Sequence, residues 1–361
     1  MEQTSQRELR LIDPTWTLAE LMAHITKAIT SDGAALSFGP SQFKTVGPEI
    51  AIVIQTSGST GVSKEVALSA TALLASAQAS NKFVGATKGK RWSLLLPLTH
   101  IAGINILMRS IELGTEPIDL RNSNGHYPDA DFTAIVPTQL FRAINGDEKL
   151  LSHLKSAQAV LVGGGKLSWQ LRSDAEELGI SVIETYGMTE TTGGCIYNGA
   201  PLENISYELG IDNRIKISGN TVASGYLGQD ELWRECFDGK WFTTSDIGSL
   251  SEGKLQVIER TDDIVVSGGE NVSLAAIESE IKSANKQIEV AAFAMQDLEW
   301  GNAIHLAVVG QNISEEEVRN LLNTRLGSAA KPKEFHYIDR IPLTALGKVD
   351  RQALIEMASK Q

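Results

Sequence analysis

Between residues 49 and 184, short apolar runs alternate with longer amphipathic stretches, and that alternation restricts the chain to few architectures. Residues 49–55 (EIAIVIQ), 92–97 (WSLLLP), 132–136 (FTAIV), 159–162 (AVLV) and 181–184 (SVIE) have the length and apolar character of buried strands. Residues 69–83, 103–113 and 168–178 have helical spacing. The pattern predicts an α/β sheet whose strand ends carry the loops that do chemistry. From about residue 215, glycine turns divide short β segments (IKISG, GKWFTTSDIG, GKLQVIE), which predicts a small barrel or meander closing a large domain. After residue 260 the texture changes again. A helix over 274–283, strands over 288–295 and 303–309, an acidic-start helix over 314–326, then residues 334–338 and a basic, loop-like tail predict a smaller α+β domain. The expected division is 1–259, a hinge at 260–263, and a C-terminal domain over 264–361.

Composition narrows the function classes. Of 361 residues 42% are apolar and 21% charged, enough for a real core and too balanced for a disordered chain. The formal net charge of −12 argues against nonspecific binding to nucleic acid or anionic lipid, both of which need a basic surface. Two cysteines, Cys195 and Cys236, exclude a disulfide framework and fit a reducing compartment. The first ten residues are polar and charged, unlike a signal peptide, and no apolar run approaches the ~20 residues of a membrane span. A soluble, cytoplasmic protein is expected.

The densest chemical signal is QTSGSTGVSKE at residues 55–65. Thr56, Ser57, Gly58, Ser59, Thr60 and Gly61 precede Lys64, after a strand and before an expected helix. Small residues let the backbone approach a polyphosphate, while N–H groups, hydroxyls and an ammonium supply donors. A GTPase-type P-loop is excluded, because Lys64 stands three after Gly61 and is followed by Glu65. An ordinary polar turn has a similar composition; the strand-loop-helix setting favours phosphate. The segment TSGSTGVSK resembles the phosphate loop of the adenylate-forming superfamily, which holds acyl-CoA synthetases, peptide-synthetase adenylation domains and luciferases. It departs from that pattern at Ser63, usually Pro, and at Glu65, usually Gly.

Four further segments match the same superfamily in its order. YGMTET at 186–191 resembles a wall of the nucleotide site. The resemblance implies that Tyr186, followed by Gly187, stacks on adenine, that Thr189 bonds the α-phosphate, and that Glu190 holds Mg²⁺. Asp246, in TTSDIG, matches the aspartate that accepts from both ribose hydroxyls. RTDDIVVSGGE at 260–270 resembles the hinge segment, with Arg260 as a second ribose contact, Asp262 as the pivot, and Gly268 and Gly269 lining the pantetheine tunnel for CoA. PLTALGKVDR at 342–351 is similar to the C-terminal signature, with Lys348 reaching the nucleotide in the first step. Taken alone, each segment has a structural reading as a polar loop, a turn aspartate, a tight hairpin or a solvated lysine. Together they imply a large, N-terminally shortened adenylate-forming domain of α/β sheets and a small β-barrel, followed by a mobile α+β domain.

The implied activity uses ATP to activate a carboxylic acid as an acyl-AMP and passes the acyl group to a thiol. LPLTHIAGINILMRS at 96–110 and the glycines at 163–165 look like those of o-succinylbenzoate–CoA ligases of menaquinone biosynthesis, some of which also have a short front before the phosphate loop. This substrate carries a second carboxylate that needs polar recognition, for which His100, Gly164, Thr191 and Thr192 are candidates; a gate or packing role for His100 stays open. Arg109 offers a charge for that carboxylate, but nine residues along a helix from His100 it is read as facing solvent and is left unassigned. Two alternatives remain: another small acyl- or aryl-CoA ligase or carrier-protein-loading adenylation enzyme, and an inactive nucleotide-binding scaffold. A homodimer replacing the missing front is compatible with the sequence.

Overall fold

The computed structural model of the chain describes residues 6–57, 63–123, 125–285, 288–297, 300–310, 313–344 and 349–360, with the backbone alone for Ser57, Ser63 and Asp262. These form two compact units, Met1–Thr244 with Ser249–Gln256, and Ser245–Gly248 with Val257–Gln361.

The first unit begins with β1 (Arg7–Leu11), β2 (Ala35–Phe38), β3 (Thr45–Val46), β4 (Ile50–Ser57) and β5 (Ser63–Ser69). β4 runs parallel to β2 and antiparallel to β5. A second sheet follows: β6 (Trp92–Leu94), β7 (Ile118–Asp119), β8 (Phe132–Ile135), β9 (Ala159–Val162), β10 (Val182–Met188), β11 (Gly193–Tyr197) and β12 (Ala200–Pro201), in the order β12-β11-β10-β9-β8-β6-β7. Its central strands are parallel and its β10–β12 edge antiparallel. The helices are α1 (Leu18–Ile29), α2 (Ala70–Phe83), α3 (Ile101–Leu113), α4 (Pro137–Ile144), α5 (Glu148–Ser156) and α6 (Trp169–Glu177).

Strand alternation sorts the core into layers. Ile52, Ile54, Val66 and Leu68 of the first sheet, and Phe132, Ala134, Ala159 and Leu161 of the second, join one cluster with Leu73, Ala77, Ile104 and Leu107 of α2 and α3. The opposite residues of the second sheet, Ile135, Val160, Val162 and Val182, meet Leu140, Leu154 and Ala175 of α4 to α6. Helices α2 and α3 are therefore filled on both sides, which explains why ten of the thirteen residues of α3 are buried.

One expectation is overturned. The glycine and hydroxyl loop does not lead into a helix; it joins β4 to β5, with Ser57 opposite Ser63, and α2 starts only after Ser69. Val66 and Leu68 alternate with Ala67 between two apolar clusters, so the period of 2 outweighs helix propensity there. Support for phosphate binding from a helix N-terminus accordingly falls away at this loop.

Beyond β12, β13 (Ile205–Leu209) and β14 (Arg214–Gly219) form a hairpin, and β15 (Gly225–Tyr226) returns to the first sheet beside β5. After α7 (Asp230–Cys236) come β16 (Phe242–Ser251) and β17 (Lys254–Arg260), in a sheet of linear order β13-β14-β16-β17, the meander of the two expected forms. The second unit contains β18 (Ile264–Ser267), β19 (Glu270–Ser273), α8 (Leu274–Ala284), β20 (Val290–Asp297), β21 (Gly301–Val309), α9 (Glu315–Leu326), β22 (Glu334–Ile338) and α10 (Arg351–Ala358). Its sheet, β20-β21-β22, packs α8 and α9 on the face of Ile304, Leu306 and Val308, and α10 on the face of Phe293 and Ala307. Among the described residues no helix is long and apolar enough to cross a membrane.

Candidate active site

In the first unit, Lys64 and Glu190 meet around a residue that the sequence did not single out. β15 pairs with β5 so that Tyr226 lies opposite Val66. The Tyr226 hydroxyl donates to Glu190 Oε1 at 2.8 Å, and Lys64 Nζ stands 4.8 Å from the centre of the Tyr226 ring. Burial and the neighbouring Glu190 carboxylate push the Tyr226 phenol far up, so it remains a donor. Backbone bonds from Ala223 N–H to the Glu190 carbonyl and from Leu227 N–H to the Glu65 carbonyl hold the three segments together. A cation from the phosphate-loop segment, an anion from YGMTET and an aromatic ring thus share one place. A half-buried carboxylate oriented by a phenol suits a hard divalent cation that completes its shell with phosphate and water.

The Glu190 turn is built rigidly. Tyr186, Gly187 and Met188 lie in β10, and Thr189–Thr191 make one 3₁₀ turn. Thr191 and Thr192 are fully buried. Thr191 Oγ1 accepts from Met188 N–H at 2.9 Å and donates to the Gly193 carbonyl at 2.8 Å; Thr192 Oγ1 donates to the Thr221 carbonyl at 2.6 Å. Ser76 Oγ of α2 and Asn105 Nδ2 of α3 both donate to the Thr192 carbonyl, at 3.0 and 2.8 Å. The two threonines therefore frame the turn with their hydroxyls. Gly187 sits at a β-bulge, where an added Cβ would lie 2.0 Å from the Gly193 carbonyl oxygen. Tyr186 is half-buried, its hydroxyl 3.5 Å from Thr244 Oγ1.

Asp246 and Arg260 meet in the second unit: Arg260 Nη1 is 3.2 Å from Asp246 Oδ1, with the aspartate side chain 6% exposed. Asp246 lies within β16, not in a turn. Thr261 Oγ1 donates to the Ser245 carbonyl at 3.0 Å, tying the start of the 260–263 segment to the same strand. Asp262 is in a 3₁₀ turn, and its side chain lies outside the described residues.

The β18–β19 hairpin pairs Ser267 with Glu270, leaving Gly268 and Gly269 as a two-residue turn at φ of 57° and 83°. That left-handed pair is the form which matches strand twist and which glycine adopts at low cost. Lys348 lies outside the described residues, as do Gly58, Ser59, Thr60 and Gly61. The flanks of Lys348 are fixed: Leu343 bridges Val349, Asp350 N–H donates to the Pro342 carbonyl at 2.9 Å, and Arg351 pairs with Asp263 at 3.2 Å and Glu278 at 2.9 Å.

In the acid-recognition group, His100 is half-buried at the N-terminal cap of α3, where its ring makes no capping hydrogen bond. Gly164 is exposed in the turn after β9. Arg109 departs from expectation. It is 4% exposed, because α3 is covered on both faces. Its guanidinium lies 4.8 Å from the Trp92 ring and donates from Nη2 to the Tyr197 hydroxyl at 3.2 Å.

Comparison with known proteins shows the family. The family model described as AMP-binding enzyme matches residues 6–219, and that described as AMP-binding enzyme C-terminal domain matches residues 276–348. A probable 2-succinylbenzoate–CoA ligase of Mycobacterium tuberculosis is 34% identical over 327 residues, 85% of this chain and 84% of that protein. A 2-succinylbenzoate–CoA ligase of Bacillus licheniformis is 30% identical over 336 residues, 85% of this chain and 70% of that one. The solved o-succinylbenzoate CoA synthetase of Bacillus subtilis, in complex with its acyl-adenylate intermediate, has the same fold, with a TM-score of 0.72 at 24% identity over 96% of this chain and 82% of that one. An amide bond synthetase of Marinactinospora thermotolerans shares it too, at 0.73 and 20% identity over 97% and 89%. The chain belongs to the AMP-binding enzyme family, the adenylate-forming enzymes.

Proposed function

We propose that the chain is an ATP-dependent acid–CoA ligase that acts on 2-succinylbenzoate. The observation that carries the substrate is the likeness, along 85% of the chain, to relatives bearing that name. A carboxylate is a poor electrophile. Its oxygen attacks the α-phosphorus of ATP, pyrophosphate leaves, and the acid becomes a mixed anhydride with AMP as the leaving group. The CoA sulfur, as thiolate, then attacks the acyl carbon and AMP departs.

The residues have distinct tasks in this reading. Lys64 and the Thr56–Gly61 loop gather the phosphates, and Thr189 bonds the α-phosphate. Glu190, oriented by Tyr226, would hold Mg²⁺, which when bound offsets phosphate charge. Tyr186, followed by Gly187, stacks on adenine, and Asp246 and Arg260 take the ribose. Lys348 joins for adenylation, and the Gly268–Gly269 turn gives CoA its passage after rotation about Asp262. His100, Gly164 and the backbone at Thr191 and Thr192 line the acid. A cytoplasmic setting accords with two free cysteines, Cys195 and Cys236, which fit a reducing compartment.

The test is ATP–pyrophosphate exchange with a panel of aromatic and aliphatic acids, followed by CoA or a carrier protein as acceptor. Exchange confined to 2-succinylbenzoate with turnover on CoA is expected. Exchange with a different acid overturns the substrate, turnover only on a carrier protein overturns the acceptor, and no exchange with any acid favours a scaffold.

A further inference from the structure

The face of the second unit's sheet that carries α10 holds three metal-ligating side chains with no part in the chemistry above. β21 and β22 run parallel with His305 opposite Glu334, and His336 follows two residues later on the same face. His305 Nδ1 and His336 Nε2 are 2.9 Å apart, and Glu334 Oε2 lies 3.7 and 3.8 Å from them. A circle through three atoms at these spacings has a radius of about 2.0 Å, the ordinary bond length from zinc to imidazole nitrogen or carboxylate oxygen.

The surroundings are those of a built site. His305 and His336 are 6% and 9% exposed, while Glu334 opens to solvent. Phe293 packs its ring against both imidazoles, and the two imidazole planes are within 24° of each other. The nearby cations have carboxylate partners: Lys333 pairs with Asp297, and Arg319 pairs with Glu315 while lying over the ring of Phe335. The 2.9 Å spacing turns one nitrogen of each ring toward the same point, where a single ion can take a lone pair from each.

We propose that His305, His336 and Glu334 form a site for a single divalent transition-metal ion of the zinc class, with solvent in the fourth position. Two imidazoles and one carboxylate suit zinc or cobalt and not magnesium, which keeps to oxygen donors. The ion joins residues of β21 and β22 across their parallel pairing, so its effect falls on the stability of the second unit.

The experiment uses the full chain, stripped with a chelator and held in excess Mg²⁺ so that Mg²⁺-binding carboxylates elsewhere are filled. Co²⁺ is titrated by visible absorption, and Zn²⁺ by competition with a chromophoric chelator. One equivalent is expected, with d–d bands of four-coordinate cobalt and a rise in melting temperature on adding Zn²⁺. Glu334→Gln, at an exposed position that leaves the core intact, should weaken binding about tenfold or more, and His336→Gln should abolish it. Circular dichroism checks that both remain folded. Absence of a cobalt spectrum in the wild type overturns the proposal, as does Zn²⁺ affinity unchanged in Glu334→Gln.

Discussion

The Tyr226 hydroxyl donates to Glu190 Oε1 across 2.8 Å, while the ring of the same tyrosine lies 4.8 Å from Lys64 Nζ. One side chain from β15 therefore sets the position of the acid from one motif and the base from another. Tyr226→Phe keeps the ring and removes the hydrogen bond. A bond to a charged group contributes about 1.5–3 kcal/mol, so adenylation kcat/KM should fall about tenfold or more, with a higher Mg²⁺ requirement. Exchange rates measured against Mg²⁺ concentration check this; an unchanged Mg²⁺ requirement removes Tyr226 from the site.

Lys348→Ala should separate the two half-reactions. Adenylation should drop about 10²-fold or more, as when one preorganised charge is lost, while thioester formation from supplied acyl-adenylate continues. Single-turnover measurements of each step decide it. Normal adenylate formation in the variant rejects the assignment.

Arg351 joins α10 to the rest of its unit. Its guanidinium reaches Asp263 and Glu278 and donates from Nε to the Ala292 carbonyl at 3.0 Å. Burial pushes the Glu278 carboxyl up, and Arg351 opposes that shift. Arg351→Ala leaves the carboxylate without its cation, at a cost of about 1–3 kcal/mol given the partial exposure of the pair. A lower denaturant midpoint is expected, together with weaker adenylation, because Lys348 stands three residues away.

Stability should fall on mild acidification through His153. This ring is 1% exposed, within 2.9 Å of both Ser93 Oγ and the Pro128 carbonyl, and burial lowers its pKa from the ordinary 6.5. Above that ordinary value both folded and unfolded rings are neutral. As pH falls below it the unfolded ring takes a proton first, so stability declines until the folded ring titrates as well. Urea melts between pH 7.5 and 5.5 should show a decline that is smaller in His153→Asn; equal slopes would falsify this account.

Gly187→Ala should distort the Glu190 turn. Its Cβ meets backbone at 2.0 Å, which no rotamer change relieves, so the β10–β11 pairing has to shift. A loss of about 1–3 kcal/mol in stability and of most adenylation activity is expected, from thermal melts and exchange assays on the same preparation.

Much of the fold was legible because buried strands are written as apolar runs. AVLV at 159–162 became β9 with all four residues buried. The stretch after Lys64 was not legible, because SKEVALS carries both helix formers and a period of 2, and only pairing with β4 decides between them. Arg109 misled for a related reason: charge suggests solvent, but α3 is packed from both sides and the guanidinium finds Trp92 and Tyr197 instead.

By itself the sequence determined the family, through five ordered motifs. It also determined the alternation of strand and helix, since a 2.0 or 3.6 period is a local property of the chain. Only tertiary structure decided which residues meet. Tyr226 lies 36 residues from Glu190 and far from Lys64, and it joins them because a two-residue strand returns to the edge of the first sheet. His305 and His336 likewise become neighbours through the parallel register of two strands. Such contacts depend on pairing between distant segments, and no local pattern encodes that pairing.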